Sequence, residues 1–253
     1  MLFYSPIAWF LIIVFMVQCG LGYMATLKSI AQMQADGYKI PFSVVGQALF
    51  GSNGLFSAIM RNLYLYLPLL TMGLISKEMS SGTIKLLYSS PIRIRDIVLG
   101  KFSAMVFMSA IMLGVVTIFL AISYFTADSP DTGMLLSALL GLFLLLCAYS
   151  AIGLFMSSLT TYQIVAAVST FVIFAILYNV ADLWKGVPFI RDITYFLSVS
   201  GRTDWMLVGL ITSNGIIYFL AIIFLFLTLT IYKLKFSMQT ISPMVKAGHY
   251  LSI

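Results

Sequence analysis

The chain has 253 residues, of which 61% are hydrophobic and 9% charged, and its mean hydropathy is +1.06. Soluble domains carry about 25% charged residues, so this composition cannot cover a water-facing surface and excludes a soluble globular protein. The formal net charge of +6 has no basic run with interleaved aromatics behind it. That excludes nucleic acid as a partner and leaves the Lys and Arg side chains as topology signals and contacts with membrane lipid headgroups.

Crossing a ~30 Å hydrocarbon core takes about 20 apolar residues in a helix, and charge-free windows of that order recur along the chain. Residues 1–27 carry no charge, and a first span is expected over 6–27, with Pro6 in its first turn. No Lys or Arg precedes that run, and it is longer than a signal-peptide core, so no cleaved leader is expected. Residues 28–58 read as a mixed loop with a short interfacial or re-entrant helix over 44–56. The second span is expected over 57–76; it takes in Arg61, and Pro68 should kink it. Residues 77–101 are the most charged part of the chain. The third span is expected over 101–125, followed by a turn at Asp128, Ser129, Pro130 and Asp131. Residues 132–181 carry no charge and hold two spans, 133–156 and 164–181, divided at 157–163. A polar stretch over 182–204 leads to a sixth span over 207–232. The tail beyond it carries Lys233, Lys235, Lys246 and the lone His249, and is expected to be solvated and irregular.

The expected fold is therefore an all-α membrane protein of six transmembrane helices. It forms one membrane domain over 1–253, with no nucleotide-binding domain. An even number of spans puts both termini on one side. That side then holds Lys77, Lys85, Arg93, Arg95, Lys101, Lys233, Lys235 and Lys246, against Lys28, Lys39, Arg61, Lys185, Arg191 and Arg202 opposite. The first group is concentrated in the 77–101 loop, beside two helix ends, and the positive-inside rule makes that loop and both termini cytoplasmic.

Polar residues near the spans carry two readings each. Arg61 is a residue of a translocation pathway or a snorkelling helix end. Asn179 and Asp182 form a polar close to the fifth span or a substrate contact. Gly133, Ser137 and Gly141 recur every four residues, a spacing that lets helix backbones approach. Cys19 and Cys147 fall in apolar stretches and read as packing residues. Trp9, Trp184 and Trp205 fit an interfacial belt. The spans gather no cluster of His, Asp and Cys, so neither a metal site nor an enzyme is expected.

The loop between the second and third spans is the informative part. The second span should leave the membrane at Lys77 and Glu78. Gly82 allows a tight bend, and Thr83 can cap a new short helix. Ile84, Leu87 and Tyr88 then form one apolar face, and Pro91 disfavours helix at Ser90. Ile94, Ile97 and Val98 start a second amphipathic turn that leads through Gly100 and Lys101 into the third span. Periodicity alone allows a helix that merely lies among the headgroups.

Glu78, Gly82-Thr83, Leu86-Leu87, Ser90-Pro91 and Gly100-Lys101 stand in the order and spacing of a known signature. The segment resembles that of ABC-2 type permeases, the membrane subunits of a class of ATP-binding-cassette transporters. Four further stretches are similar to the gliding-motility-associated branch of Bacteroidetes-like bacteria: Phe3-Tyr4-Ser5-Pro6-Ile7-Ala8, Pro68-Leu69-Leu70-Thr71-Met72, 196–202 and Ile217-Tyr218-Phe219-Leu220. The resemblance implies a bacterial inner-membrane protein in which 82–91 is a cytoplasmic coupling helix docked on a separate ABC ATPase subunit. Glu78 would anchor its base, and Gly82, Thr83, Ile84, Leu87, Pro91, Gly100 and Lys101 would serve the same coupling. It also implies a second permease subunit, as homodimer or heterodimer, and export as the direction. Such permeases usually carry an amphipathic cytoplasmic helix ahead of the first span, which a chain starting at Met1-Leu2-Phe3 does not include. No G-x-x-x-x-G-K-[ST] phosphate loop occurs in the sequence. This chain is therefore expected to bind no cofactor, with ATP and Mg on the partner. The runner-up reading is a membrane scaffold or assembly subunit of a motility or secretion complex. An ion-coupled carrier is disfavoured, because paired intramembrane charges and inverted repeats are missing from the sequence.

Overall fold

The computed structural model describes residues 6–36, 54–84, 92–126, 132–183 and 213–251. Among these residues every regular element is an α-helix: α1 Pro6–Ala35, α2 Leu55–Thr71, α3 Ser76–Ser80, α4 Ile94–Thr126, α5 Thr132–Leu159, α6 Gln163–Leu183 and α7 Ser213–Leu251. Five stretches are long and apolar enough to cross a bilayer: Pro6–Ser29, Ala58–Ser80, Ile94–Tyr124, Thr132–Leu159 and Ser213–Ser237. The remaining long helix, α6, has 21 residues, with its apolar part over Gln163–Leu177.

Helix is the form these sequences take because lipid offers backbone N–H and C=O groups no partner, so each segment must satisfy its own. The hydroxyls inside the helices obey the same rule. Thr26 donates to Gly22 O at 2.9 Å, Ser109 to Met105 O at 2.9 Å, Ser150 to Leu146 O at 2.7 Å and Thr170 to Ala166 O at 2.7 Å. Each returns its proton to the preceding turn and leaves no donor facing apolar surroundings.

The helix α5 is the centre of the bundle. It packs against α2, α3, α4, α6 and α7, and its second half is buried almost throughout. Tyr149 of α5 stacks on Phe174 of α6 with ring centroids 4.2 Å apart, and Phe155 meets Phe226 of α7 at 5.6 Å. Met105, Met108 and Met112 form the buried stripe of α4 at helical spacing. The outer helices are apolar on both sides: Phe10, Ile13, Val17 and Leu21 of α1, Val168 and Phe171 of α6, and Leu220 and Phe224 of α7 all face outward. A helix apolar all round and only partly covered suits a lipid surround.

Side-chain contacts set the relative directions. Tyr23 packs on Phe119 at 5.6 Å, and Ser123 Oγ donates to Tyr23 Oη at 3.1 Å. The late part of α1 thus lies beside the late part of α4, and the two run parallel. Phe15 meets Tyr66 edge-on at 5.6 Å. The start of α4, α3, the end of α5 and Leu234 of α7 come together at one end of the bundle.

Several elements differ from those expected. The second span is not one helix to Ser76: α2 ends at Thr71, three residues past Pro68, and a break precedes α3. The third span starts at Ile94, because the amphipathic turn at Ile94, Ile97 and Val98 continues without interruption into the apolar helix. The expected irregular tail is instead helical to Leu251, and α7 has 39 residues. At ~1.5 Å per residue it is about 58 Å long, well beyond a ~30 Å core, so one end projects from the bilayer. Of the expected interfacial or re-entrant helix over 44–56, residues 44–53 lie outside the described residues, and Leu55 and Phe56 instead open α2. The turn at 128–131, Leu86, Leu87, Ser90 and Pro91, and the stretch 184–212 also lie outside the described residues.

Candidate functional site

The basic end of the bundle is built around the place where α2 stops. Pro68 weakens the last part of α2, since it gives the Tyr64 carbonyl no N–H, and the chain leaves the helix over 72–75 before α3 begins. Backbone groups in that break need partners, since inside a membrane bundle water is not there to supply them. Leu74 N donates to Thr71 O at 3.1 Å, and Glu78 N and Met79 N donate to Ile75 O at 3.0 Å. Ser76 Oγ donates back to Met72 O, and further partners come from neighbouring helices.

Ser157 of α5 meets three of these backbone groups. Its Oγ donates to Met72 O at 2.9 Å and accepts from Ile75 N at 3.0 Å and Ser76 N at 3.1 Å. One donor and two acceptors is the full capacity of a hydroxyl. One turn earlier on α5, Gly153 lies under Thr71, and a β-carbon there would stand 2.6 Å from Thr71 Cβ. Thr71 and Ser157 are both completely buried. Gly73 faces Gln163, the first residue of α6.

Lys101 of α4 meets the Leu74 carbonyl. Its Nζ forms an ion pair with Glu78 Oε1 at 2.5 Å and also donates to Leu74 O. The two side chains keep 18% and 23% of their surface exposed, so the pair sits at the rim of the bundle and not in its core. It forms one wall of a small pocket whose remaining lining is Ile75, Ile84, Ile94, Ile97 and Leu234.

Beyond α3 the chain turns sharply. Ser81 N donates to Lys77 O at 3.1 Å and Gly82 N to Met79 O at 3.3 Å. Gly82 has φ +70, the left-handed conformation that ends helices and that glycine adopts without penalty. The hydroxyl of Thr83 contacts Ser81 Oγ at 2.9 Å and Glu78 O at 3.4 Å, so it closes the outgoing helix α3. The partners it would cap in a following helix are outside the described residues. Ile84 packs against the core.

Of the residues singled out in the sequence, Glu78 and Lys101 are brought into contact, and Ile84 lies on the same pocket. Gly82 sits at the turn. Gly100, beside Lys101 on α4, has open space around it. Leu87 and Pro91 are outside the described residues. Arg61 falls in the second turn of α2, and Asn179 and Asp182 fall in the last turns of α6. On α5, Ser137 and Gly141 are buried whereas Gly133 is exposed.

Sequence reasoning passed over Ser157 and Gly153, treating 157–163 only as a boundary between spans, and marked Thr71 only as part of the 68–72 stretch. It also passed over Gln18. Tyr66 donates its phenolic proton to Gln18 Oε1, joining α1 to α2 inside the apolar region. Gln18 also lines a small pocket with Phe15, Cys19, Ala58, Ile59 and Asn62. An amide in the middle of a charge-free span was a signal available from the sequence.

A short helix is pinned at its start by Ser157 of α5, at its middle by Lys101 of α4, and released into a sharp turn at Gly82. The family model for ABC-2 family transporter proteins matches residues 3–237. No curated protein matches the sequence. Membership of that family implies association with ABC ATPase subunits. The chain therefore belongs to the ABC-2 transporter family, as a multi-pass membrane permease subunit that is a transport component and not itself catalytic.

Proposed function

We propose that this chain is half of an exporter: two permease subunits, identical or related, enclose the path, and cytoplasmic ABC ATPases drive it by gripping the 82–91 segment. The observation that carries this reading is the Lys101–Glu78 ion pair. It ties the exit of the second span to the entry of the third at the point where the 82–91 segment leaves the bundle. A load applied to that segment would then reach α4 through Lys101 as well as α2 through the chain. Gly82, Thr83, Ile84, Leu87, Pro91 and Gly100 would shape the element that the ATPase holds.

The path itself lies between subunits in this reading, because the five helices packed around α5 leave little room for one within a single chain. Counting α6 as a span gives six crossings, with the basic 77–101 loop and both termini in the cytoplasm of a bacterial cell. Arg61, Asn179 and Asp182 would then stand near the opposite face, and Ser137 and Gly141 would serve helix packing. The terminal motifs favour the gliding-motility-associated branch.

Affinity isolation of the chain from its native membrane tests the reading. A P-loop ATPase should accompany it, with ATP hydrolysis that falls when Glu78 or Gly82 is replaced. Isolation without any such ATPase overturns it. A complex that hydrolyses ATP yet moves no solute in any vesicle assay would favour a scaffold of a motility or secretion machine.

A further inference from the structure

The break at 72–75 is where backbone leaves the helical path inside the bundle, and the manner of its repair bears on how motion spreads. Ser157 Oγ binds Met72 O on the near side of the break and Ile75 N and Ser76 N on the far side. One hydroxyl therefore bridges the joint. We propose that Ser157 is a positioning residue for transport: it locks the α2–α3 joint to α5, so that a displacement of α3 carries α5 with it. The transmission half rests on the reading of 82–91 as the ATPase contact; the lock itself does not.

Swinging α3 about 72–75 without moving α5 would strip Ile75 N and Ser76 N of their partner at once and leave Met72 O with Ser76 Oγ alone. Both amides lie in a buried setting where an unpaired backbone group is expensive. Sliding α2 along α5 is blocked separately, since Thr71 presses on Gly153 at a distance that leaves no space for a β-carbon. On its other side α3 is held to α4 by Lys101 through Glu78 and Leu74 O. A five-residue helix gripped in this way moves with its neighbours. Because α5 packs against α2, α4, α6 and α7, displacement delivered to α5 reaches the rest of the bundle. Without the Ser157 hydroxyl, the 72–75 segment would become a free hinge that absorbs the displacement locally.

Hydrogen exchange read by mass spectrometry on the full-length protein with its co-purified ATPase, in lipid nanodiscs, tests both halves. Without nucleotide, amides of 72–80 should exchange roughly five- to tenfold faster in S157A than in wild type, and S157T, which keeps the hydroxyl, should restore protection. With a non-hydrolysable ATP analogue, exchange in the wild type should change in both 76–84 and 145–157. In S157A the change should remain in 76–84, vanish from 145–157, and return in S157T. A merely structural role would slow or speed exchange without moving where the nucleotide response stops. Equal exchange of 72–80 in S157A and wild type overturns the lock. An undiminished response of 145–157 in S157A overturns the transmission. If no ATPase accompanies the wild-type chain, the functional reading falls and the transmission with it, while the nucleotide-free arm still decides the lock. Should S157A not assemble, S157C keeps the volume while weakening the hydrogen bonds, and is judged by the same outcomes.

Discussion

Gly153 and Thr71 meet with no room between them: a β-carbon on Gly153 would come within 2.6 Å of Thr71 Cβ and 2.8 Å of Thr71 Cγ2. Small residues at helix contacts are the means by which membrane helices approach, since lipid supplies no hydrophobic drive to press them together. Here the approach also sets Ser157, one turn further on, at hydrogen-bonding distance from the α2–α3 break.

Replacing Gly153 by Ala should therefore force α2 off α5. Overpacking of this kind costs about 1–3 kcal/mol. Gly114 of α4 has nothing within 4 Å of its β-carbon position, so G114A should be neutral or stabilising by up to about 1 kcal/mol from helix propensity. Thermal unfolding in detergent, followed by size-exclusion fluorescence, compares the two. Equal melting of G153A and wild type would show that the contact is looser than described.

Lys101 serves two acceptors and Glu78 serves one donor, which makes their loss unequal. K101M should cost about 2 kcal/mol, because it strands a carboxylate and the Leu74 carbonyl together. E78Q keeps a hydrogen-bond acceptor and should cost about 1 kcal/mol or less. The exchanged pair E78K/K101E should not recover wild-type stability, since a carboxylate at 101 cannot donate to Leu74 O. Chemical denaturation of each variant in detergent reads the ranking, and full recovery in the exchanged pair would contradict it.

Gly82 carries φ +70 with open space where a side chain would go. The cost of G82A is then a backbone cost alone, about 1–2 kcal/mol, and G82N should be milder because Asn tolerates the left-handed region. Limited proteolysis of the 77–101 loop, with ATPase retention measured alongside, should rank wild type, G82N and G82A in that order.

The Tyr66–Gln18 hydrogen bond joins α1 to α2 inside the membrane. Such bonds contribute about 0.6 kcal/mol on average and up to about 1.7 kcal/mol. Y66F should destabilise by an amount in that range, as should Q18L. The double variant Y66F/Q18L should lose less than the two single losses added, because it leaves no orphaned polar partner. Strict additivity in a thermal-melt cycle would show that the two side chains do not interact.

The membrane character, the helices and most of their extents were legible from residue type alone. Burial in lipid is a property of each local window: a run without charge over 132–181 has to be helical wherever it sits, because nothing else satisfies its backbone there. The left-handed turn at Gly82 was legible for the same reason, since glycine's lack of a β-carbon is local. Glu78 and Lys101 were each marked by motif, yet their pairing across 23 positions depends on how α4 is rotated and set against α3. Helices apolar all round do not encode that rotation, because a Leu is at home facing lipid or facing another helix. The break after Thr71 and its repair by Ser157 were hidden more deeply. Pro68 announced a kink, but only the close approach of α5, permitted by Gly153, brought a hydroxyl to the stranded amides.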